Sequence, residues 1–189
     1  MSRAFAYIAD RVLAEEGGLV DHARDPGRRT NLGVTQGTLN HARNVIPSLP
    51  RTVDQLTRGD ALSIYAALYW RPIRGDELPL GLAMIVFDAA INQGPADAAR
   101  FLQLAVGVTP DGIIGPRTVE AAKRADVRKA ITEVAARRMH DYMLLDHLQD
   151  AFGLGWSRRL MRIFAQALDA AKADFSGVTS WLDSTARPA

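Results

Sequence analysis

The sequence contains no cysteine, which excludes a disulfide framework, a thiolate zinc site and a cysteine nucleophile. Lysine is scarce: only Lys123, Lys129 and Lys172 interrupt a basic complement otherwise made of arginine. Arginine matches planar anions such as carboxylate and phosphate, and a pI of 9.2 favours an anionic polymer as partner. A GC-rich genome that encodes arginine wherever a surface cation is wanted explains the same count. Neither sign of charge dominates, since 23 Lys and Arg face 21 Asp and Glu for a net +2. The apolar stretch Leu78–Phe87 has ten residues, too few to cross a bilayer. The first twenty residues carry Arg3, Asp10, Arg11, Glu15 and Glu16 and no apolar core segment. No cleavable export signal is therefore expected, and the chain is expected to be made in the cytoplasm.

Other signatures are missing as well. His22, His41, His140 and His147 show no His-Glu-x-x-His spacing, so a zinc peptidase is not expected. There is no phosphate-cradling glycine loop, no Gly-x-Ser-x-Gly elbow, and no basic stripe with interleaved aromatics for nucleic acid. No cofactor and no metal are expected.

What is present is an ordinary globular balance, 48% hydrophobic and 23% charged over 189 residues, with helical periodicity throughout. Phe5, Ile8, Ala9, Val12 and Leu13 share one face of a first helix that must stop at Gly17-Gly18. Residues 19–36 read as an irregular stretch with a short hairpin. Helices are expected near 36–44, from Thr57 or Asp60 to Trp70, over Pro79–Gln93, from Pro95 to Val106 and from Pro116 to Ala125. Two longer ones follow, near 127–149 and 154–174. Pro79–Gln93 is apolar nearly all round, so it is expected to be a strut buried on every side. No Pro-, Gly- or Ser-rich linker divides the chain. The expected fold is mainly α, an α+β arrangement with a buried central helix and a small β-hairpin after the first helix.

The chemistry concentrates in Glu15-Glu16-Gly17-Gly18 and the polar loop that follows, with Asp21, Asp25, Thr30, Asn31 and Thr35. Glu16 precedes a glycine pair, hence a helix C-terminus, where the macrodipole places about −0.5 charge. Glu15 adds a like charge beside it. Both effects favour the protonated carboxyl, and the glycines let a ligand come close, so Glu16 is a candidate proton donor. Small polar side chains nearby are what orienting a water requires. Glycoside hydrolysis needs these two parts, a protonated carboxyl for the leaving oxygen and a group on the other face of the sugar. The plain readings remain: two solvated glutamates at a helix end, and a β-turn at Asp25-Pro26-Gly27.

Glu16-Gly17-Gly18, Asp25-Pro26-Gly27 and Thr30-Asn31-Leu32-Gly33-Val34-Thr35 resemble, in order and spacing, the signature of the glycoside hydrolase family 108 muramidases, phage-type endolysins. Glu16, Asp25 and Thr30 also keep the Glu, eight residues, Asp, four or five residues, Thr spacing of the wider group of phage lysozymes. The likeness continues in Tyr69-Trp70-Arg71-Pro72-Ile73, in Phe87-Asp88 with Asn92-Gln93-Gly94, in Asp111-Gly112-Ile113-Ile114-Gly115-Pro116-Arg117-Thr118 and in Gly155-Trp156-Ser157-Arg158-Arg159. It implies a lysozyme-like fold, with a catalytic region over 1–94, a helical peptidoglycan-binding-like region over 95–175 packed on it, and a flexible tail over 176–189. It implies Glu16 as general acid, with Asp25 and Thr30 placing the attacking water or stabilising charge at the anomeric carbon. Arg28-Arg29 replaces the usual Gly-Ala, and Asp21-His22-Ala23 stands where the family has Asn-Asp-Pro; both bear on the loop and its sugar contacts.

Asn31, Tyr69, Asp88 and Asn92 are the candidate substrate contacts. Tyr69 and Trp70 could stack on sugar faces, with core packing the stronger reading for Trp70. Asp88 and Asn92 lie one turn apart on the apolar helix, as cleft lining or as a structural hydrogen-bond network. The expected activity is muramidase hydrolysis of the β-1,4 bond between N-acetylmuramic acid and N-acetylglucosamine, with a pattern that favours inversion. The alternatives are a non-catalytic peptidoglycan-binding or virion-structural module, and a hydrolase of chitin or chitosan. The expected partner is peptidoglycan, without nucleic acid or stable membrane insertion. A membrane pore such as a phage holin would give access to the periplasm or cell wall.

Overall fold

The computed structural model describes residues 1–14, 20–21, 29–145 and 153–172. The first helix, α1 (Arg3–Ala14), buries Phe5, Ile8, Ala9 and Val12, the face its apolar spacing selects. Strands β1 (Val20–Asp21), β2 (Arg29–Asn31) and β3 (Val34–Thr35) form an antiparallel sheet in that order. The expected hairpin is β2–β3, with Thr30 opposite Thr35 and Asn31 opposite Val34, and β1 joins as a third strand with Val20 opposite Thr30. Between β2 and β3 the turn residues Leu32 and Gly33 both have positive φ, 53° and 73°. This is the backbone that two-residue hairpins require. Leucine has no intrinsic liking for it; here Leu32 packs against the core, and its carbonyl accepts from the Tyr65 hydroxyl at 3.3 Å.

Thr35 ends β3 and caps α2 (Gln36–Ala42) by accepting from the Thr38 N–H. A capping box between Thr57 and Asp60 starts α3 (Arg58–Tyr65). The helix expected to run to Trp70 does not stay α. Over Ala66–Trp70 it widens to a π turn, closed by the Arg71 N–H donating to the Ala66 carbonyl at 3.0 Å. Pro72 cannot continue it.

Helix α4 (Leu80–Gln93) is the central strut: every residue from Gly81 to Ala90 is buried. Pro79 stands immediately before it, its carbonyl accepting from Ala83 at 2.8 Å. The Phe87 ring meets Phe5 of α1 at 5.9 Å and Trp70 at 5.3 Å. Gly94 (φ 91°) breaks the chain between α4 and α5 (Pro95–Ala105). Next come α6 (Pro116–Arg124) and α7 (Val127–Met143), capped by Asp126, then α8 (Leu154–Ala170). The helix expected over 127–149 thus stops at Met143, and that expected over 154–174 at Ala170. Helices α4, α5, α7 and α8 share one apolar core with α1, so the two regions read from the sequence meet without a linker. No described helix is long and apolar enough to cross a membrane.

Candidate active site

Of the residues expected to do chemistry, Glu16 and Asp25 lie outside the described residues, between α1 and β2. Thr30, the third, is half-buried at the centre of the sheet, facing Val20 on one side and Thr35 on the other. Beside it, the Asn31 side chain reaches 22 residues along the chain to donate to the Val53 carbonyl at 2.8 Å. A longer contact runs to the Leu56 carbonyl at 3.5 Å. Gln36 secures the same loop, donating to the Arg51 carbonyl at 2.8 Å and accepting from the Val53 N–H at 3.1 Å. Asn31 therefore fastens the 51–56 loop against the sheet with one end of its amide.

Tyr69 sits half-buried on the π turn with its ring 5.7 Å from that of Tyr65, the same Tyr65 that holds the Leu32 carbonyl. The sheet turn and Tyr69 are thereby brought together. Trp70 points the other way, into the cluster of Phe5 and Phe87, and is 3% exposed, as core packing requires.

Asp88 does not line an open cleft. It is fully buried, and both carboxylate oxygens are taken: Oδ2 by Arg138 Nη2 at 2.7 Å, and Oδ1 by Arg159 Nε and Nη2 at 2.9 and 2.7 Å. Arg138 is itself fully buried and donates through Nε to Gln93 Oε1 at 2.9 Å and through Nη2 to the Tyr142 hydroxyl at 3.2 Å. Gln93 passes the chain of bonds to Asp141 at 2.6 Å. Burial pushes the Tyr142 hydroxyl above its ordinary ionisation range, against the opposing pull of Arg138. Its ring stacks on Trp156 at 5.2 Å. Asn92, one turn beyond Asp88, is exposed and donates Nδ2 to the Asp88 carbonyl at 2.7 Å.

Arg138, Arg159, Gln93 and Tyr142 are absent from the sequence-based candidates, although a signal for them existed. An aspartate on an all-apolar helix needs a cationic partner. Arg138 lies on the buried stripe of α7 with Ile131, Val134 and Ala135, a position no unpaired arginine occupies cheaply. The Asp111–Thr118 turn is likewise held internally. Buried Gln103 donates its two Nε2 hydrogens to Asp111 Oδ1 at 2.6 Å and the Ile113 carbonyl at 3.0 Å, with Thr118 Oγ1 3.3 Å from the same nitrogen. It also accepts from the Gly112 N–H at 2.9 Å. A groove of about 420 Å³ between α5 and α7 holds Glu133, Arg137, His140 and Asp141, but Glu133 is spent on Arg137 at 2.5 Å. Among the described residues no group of three or more side chains could hold a metal ion.

The chain belongs to the glycosyl hydrolase 108 family, whose model matches residues 9–94, and is thus a glycoside hydrolase with a mainly α, lysozyme-like fold. It is similar to SagA of Brucella abortus, a solved structure 36% identical to it with a TM-score of 0.80. That likeness covers 90% of this chain and 97% of SagA, so it includes helices beyond residue 94. No curated protein matches the chain.

Proposed function

We propose that the chain is a muramidase that cleaves the β-1,4 bond between N-acetylmuramic acid and N-acetylglucosamine in peptidoglycan. The observation that carries this reading is the family match over 9–94, which takes in Glu16, Asp25 and Thr30 at lysozyme spacing. Strand pairing adds support, since Thr30 stands opposite Val20, a few residues past Glu16. Glu16 gives its proton to the glycosidic oxygen as the bond to the anomeric carbon breaks. A water oriented by the Thr30 hydroxyl bonds to that carbon from the opposite face and yields its proton to the Asp25 carboxylate, an inverting sequence. Asn31, Tyr69 and Asn92 contact the sugars, Asn31 through its Oδ1 and Tyr69 through its ring face. Asp88 acts from behind, as a buried anchor.

Residues 95–175 are assigned contact with the wall on the resemblance of the Asp111–Thr118 turn, whose Ile113 is 72% exposed. The setting is that of an endolysin: made in the cytoplasm, reaching the periplasm or wall through a pore such as a holin. The test is clearing of purified cell walls with mass analysis of the released muropeptides. Wild type should release fragments with N-acetylmuramic acid at the reducing end, and Glu16→Gln should release none while keeping the wild-type circular dichroism spectrum. Lysis by folded Glu16→Gln at the wild-type rate refutes the mechanism. Wall binding by wild type without clearing points to a module that holds the polymer and leaves it intact.

A further inference from the structure

The family match ends at Gly94, yet the side chains that fix that end of α4 come from beyond it. Asp88 is caught between Arg138 of α7 and Arg159 of α8, and Gln93 is tied by its two amide ends to Arg138 and Asp141. The carbonyl of the same Asp88 holds Asn92, the exposed residue of that turn, by its Nδ2. A buried ion cluster is an expensive way to gain stability, because apolar residues of similar size do as well or better. Arg138 adds to the expense, since its buried Nη1 finds no hydrogen-bond partner among the described residues. What such a cluster supplies is one fixed geometry.

We propose that Asp88 is a positioning residue. Held by two arginines from outside the family-matched region, it sets the orientation in which the last turn of α4 offers Asn92 Oδ1 to a hydroxyl or N-acetyl N–H of the sugar. This rests on the muramidase reading for its ligand, though not for its geometry. It also makes α7 and α8 part of the catalytic unit, whatever else they bind.

The full chain carrying Asp88→Asn, Asn92→Ala or both is assayed for kcat and KM on soluble glycan strands. Amide hydrogen exchange is measured alongside. Each single change should lower kcat/KM by about five- to tenfold, the scale of one hydrogen bond to a ligand. The double variant should fall no further than the worse single one, because both remove the same contact. Exchange at 90–94 should rise at least about tenfold in Asp88→Asn, with α2 and α6 unchanged, as expected of a local opening. Arg159→Lys keeps the charge and loses the fork; it should show the same pattern more mildly, and it replaces Asp88→Asn if that variant does not fold. Additive losses in kcat/KM, or exchange rising evenly over the whole chain, overturn the proposal. Absence of hydrolysis by wild type counts against the muramidase reading alone, and exchange at 90–94 still decides the role of Asp88.

Discussion

Helices α4 and α8 touch at Gly81, where a single added methyl group has nowhere to go. A Cβ at that position would lie 2.4 Å from the Ala167 carbonyl oxygen, 2.9 Å from Ile131 Cδ1 and 3.0 Å from the Ala171 Cβ. The carbonyl belongs to the backbone of α8 and cannot rotate aside, so the helix itself must retreat. Restoring an ordinary contact needs a movement of about 1 Å, and a gap of that size forfeits about a quarter to a half of the dispersion well along the seam. Added to the strain of overpacking, Gly81→Ala should cost about 2–4 kcal/mol. At about 2–4 °C per kcal/mol for a chain of this length, the Tm should fall by about 5–15 °C. The helices run antiparallel here, since Gly81 meets Ala167 and Asp88 meets Arg159, so the same retreat strains the ion cluster two turns away. Gly155 provides the internal control. It lies exposed in the first turn of α8 with nothing among the described residues within 4 Å of an added Cβ, and Gly155→Ala should stabilise the chain by about 0.5–1 kcal/mol through helix propensity. Thermal melts followed by circular dichroism read both variants. A Gly81→Ala melt within about 2 °C of wild type, or equal losses from the two substitutions, refutes the close-approach argument.

Gln103→Leu should lower the urea midpoint by the equivalent of about 1–3 kcal/mol, the cost of leaving buried partners unsatisfied; an unchanged midpoint would mean that the Asp111–Thr118 turn is not held by this amide. The bond from Gln103, helped by the Ile113 N–H, keeps the Asp111 carboxyl below its ordinary range. The stability Asp111 contributes is therefore present above that range and lost as pH falls through its lowered value. Urea midpoints measured against pH should show a shallower acid limb in Asp111→Asn. Burial acts on Tyr142 in the opposite sense, raising its ionisation above the ordinary 10.0. Stability from the neutral phenol is intact below that value and declines as pH rises past it. Ultraviolet titration should show a late phenolate phase that Tyr142→Phe removes.

Much of this architecture can be read from local pattern because its causes are local. The α4 strut follows from apolar residues on every side, the helix starts at Pro95 and Pro116 from proline beside glycine, and the Thr57 cap from a hydroxyl three residues ahead of an aspartate. The β2–β3 hairpin is legible too, although leucine takes a turn position that asparagine or glycine would fill more cheaply. The π turn at Ala66–Trp70 is not legible: one extra residue in a turn leaves the apolar spacing on either side unchanged. In the candidate site, residue type indicates which groups can donate or accept, but distance in the fold decides which partner they meet. By residue type Asn31 and Asp88 are both candidate substrate contacts, Asp88 equally a member of a structural network. One spends its Nδ2 on the Val53 carbonyl 22 residues away, and the other meets arginines 50 and 71 residues away. Glu16 and Asp25, read most directly from their spacing, lie outside the described residues.

The helices after Gly94 are bound into the fold through α4. A separable wall-binding module would be joined by an exposed linker and meet its neighbour across a polar, modest interface. Here Gly94 is the sole residue between α4 and α5, and Ile131, Val134, Leu160 and Ile163 complete the same apolar core as Phe5 and Phe87. Helix α7 runs parallel to α4, with Gly81 near Ile131 and Asp88 on Arg138, while α8 runs antiparallel to it. Removing residues beyond 94 would uncover Gly81, which lies against Ala167 and Ile131, and leave the Asp88 carboxylate without either cation. Breaking a buried pair by taking away its partner costs about 3–5 kcal/mol on its own, a large part of the about 5–15 kcal/mol that holds a typical domain together. Residues 1–94 alone should therefore be far less stable than the whole chain, and a thermal melt as high and as sharp as that of the whole chain would refute this. Whatever the later helices bind, they pack on α4 and hold its Asp88 carboxylate.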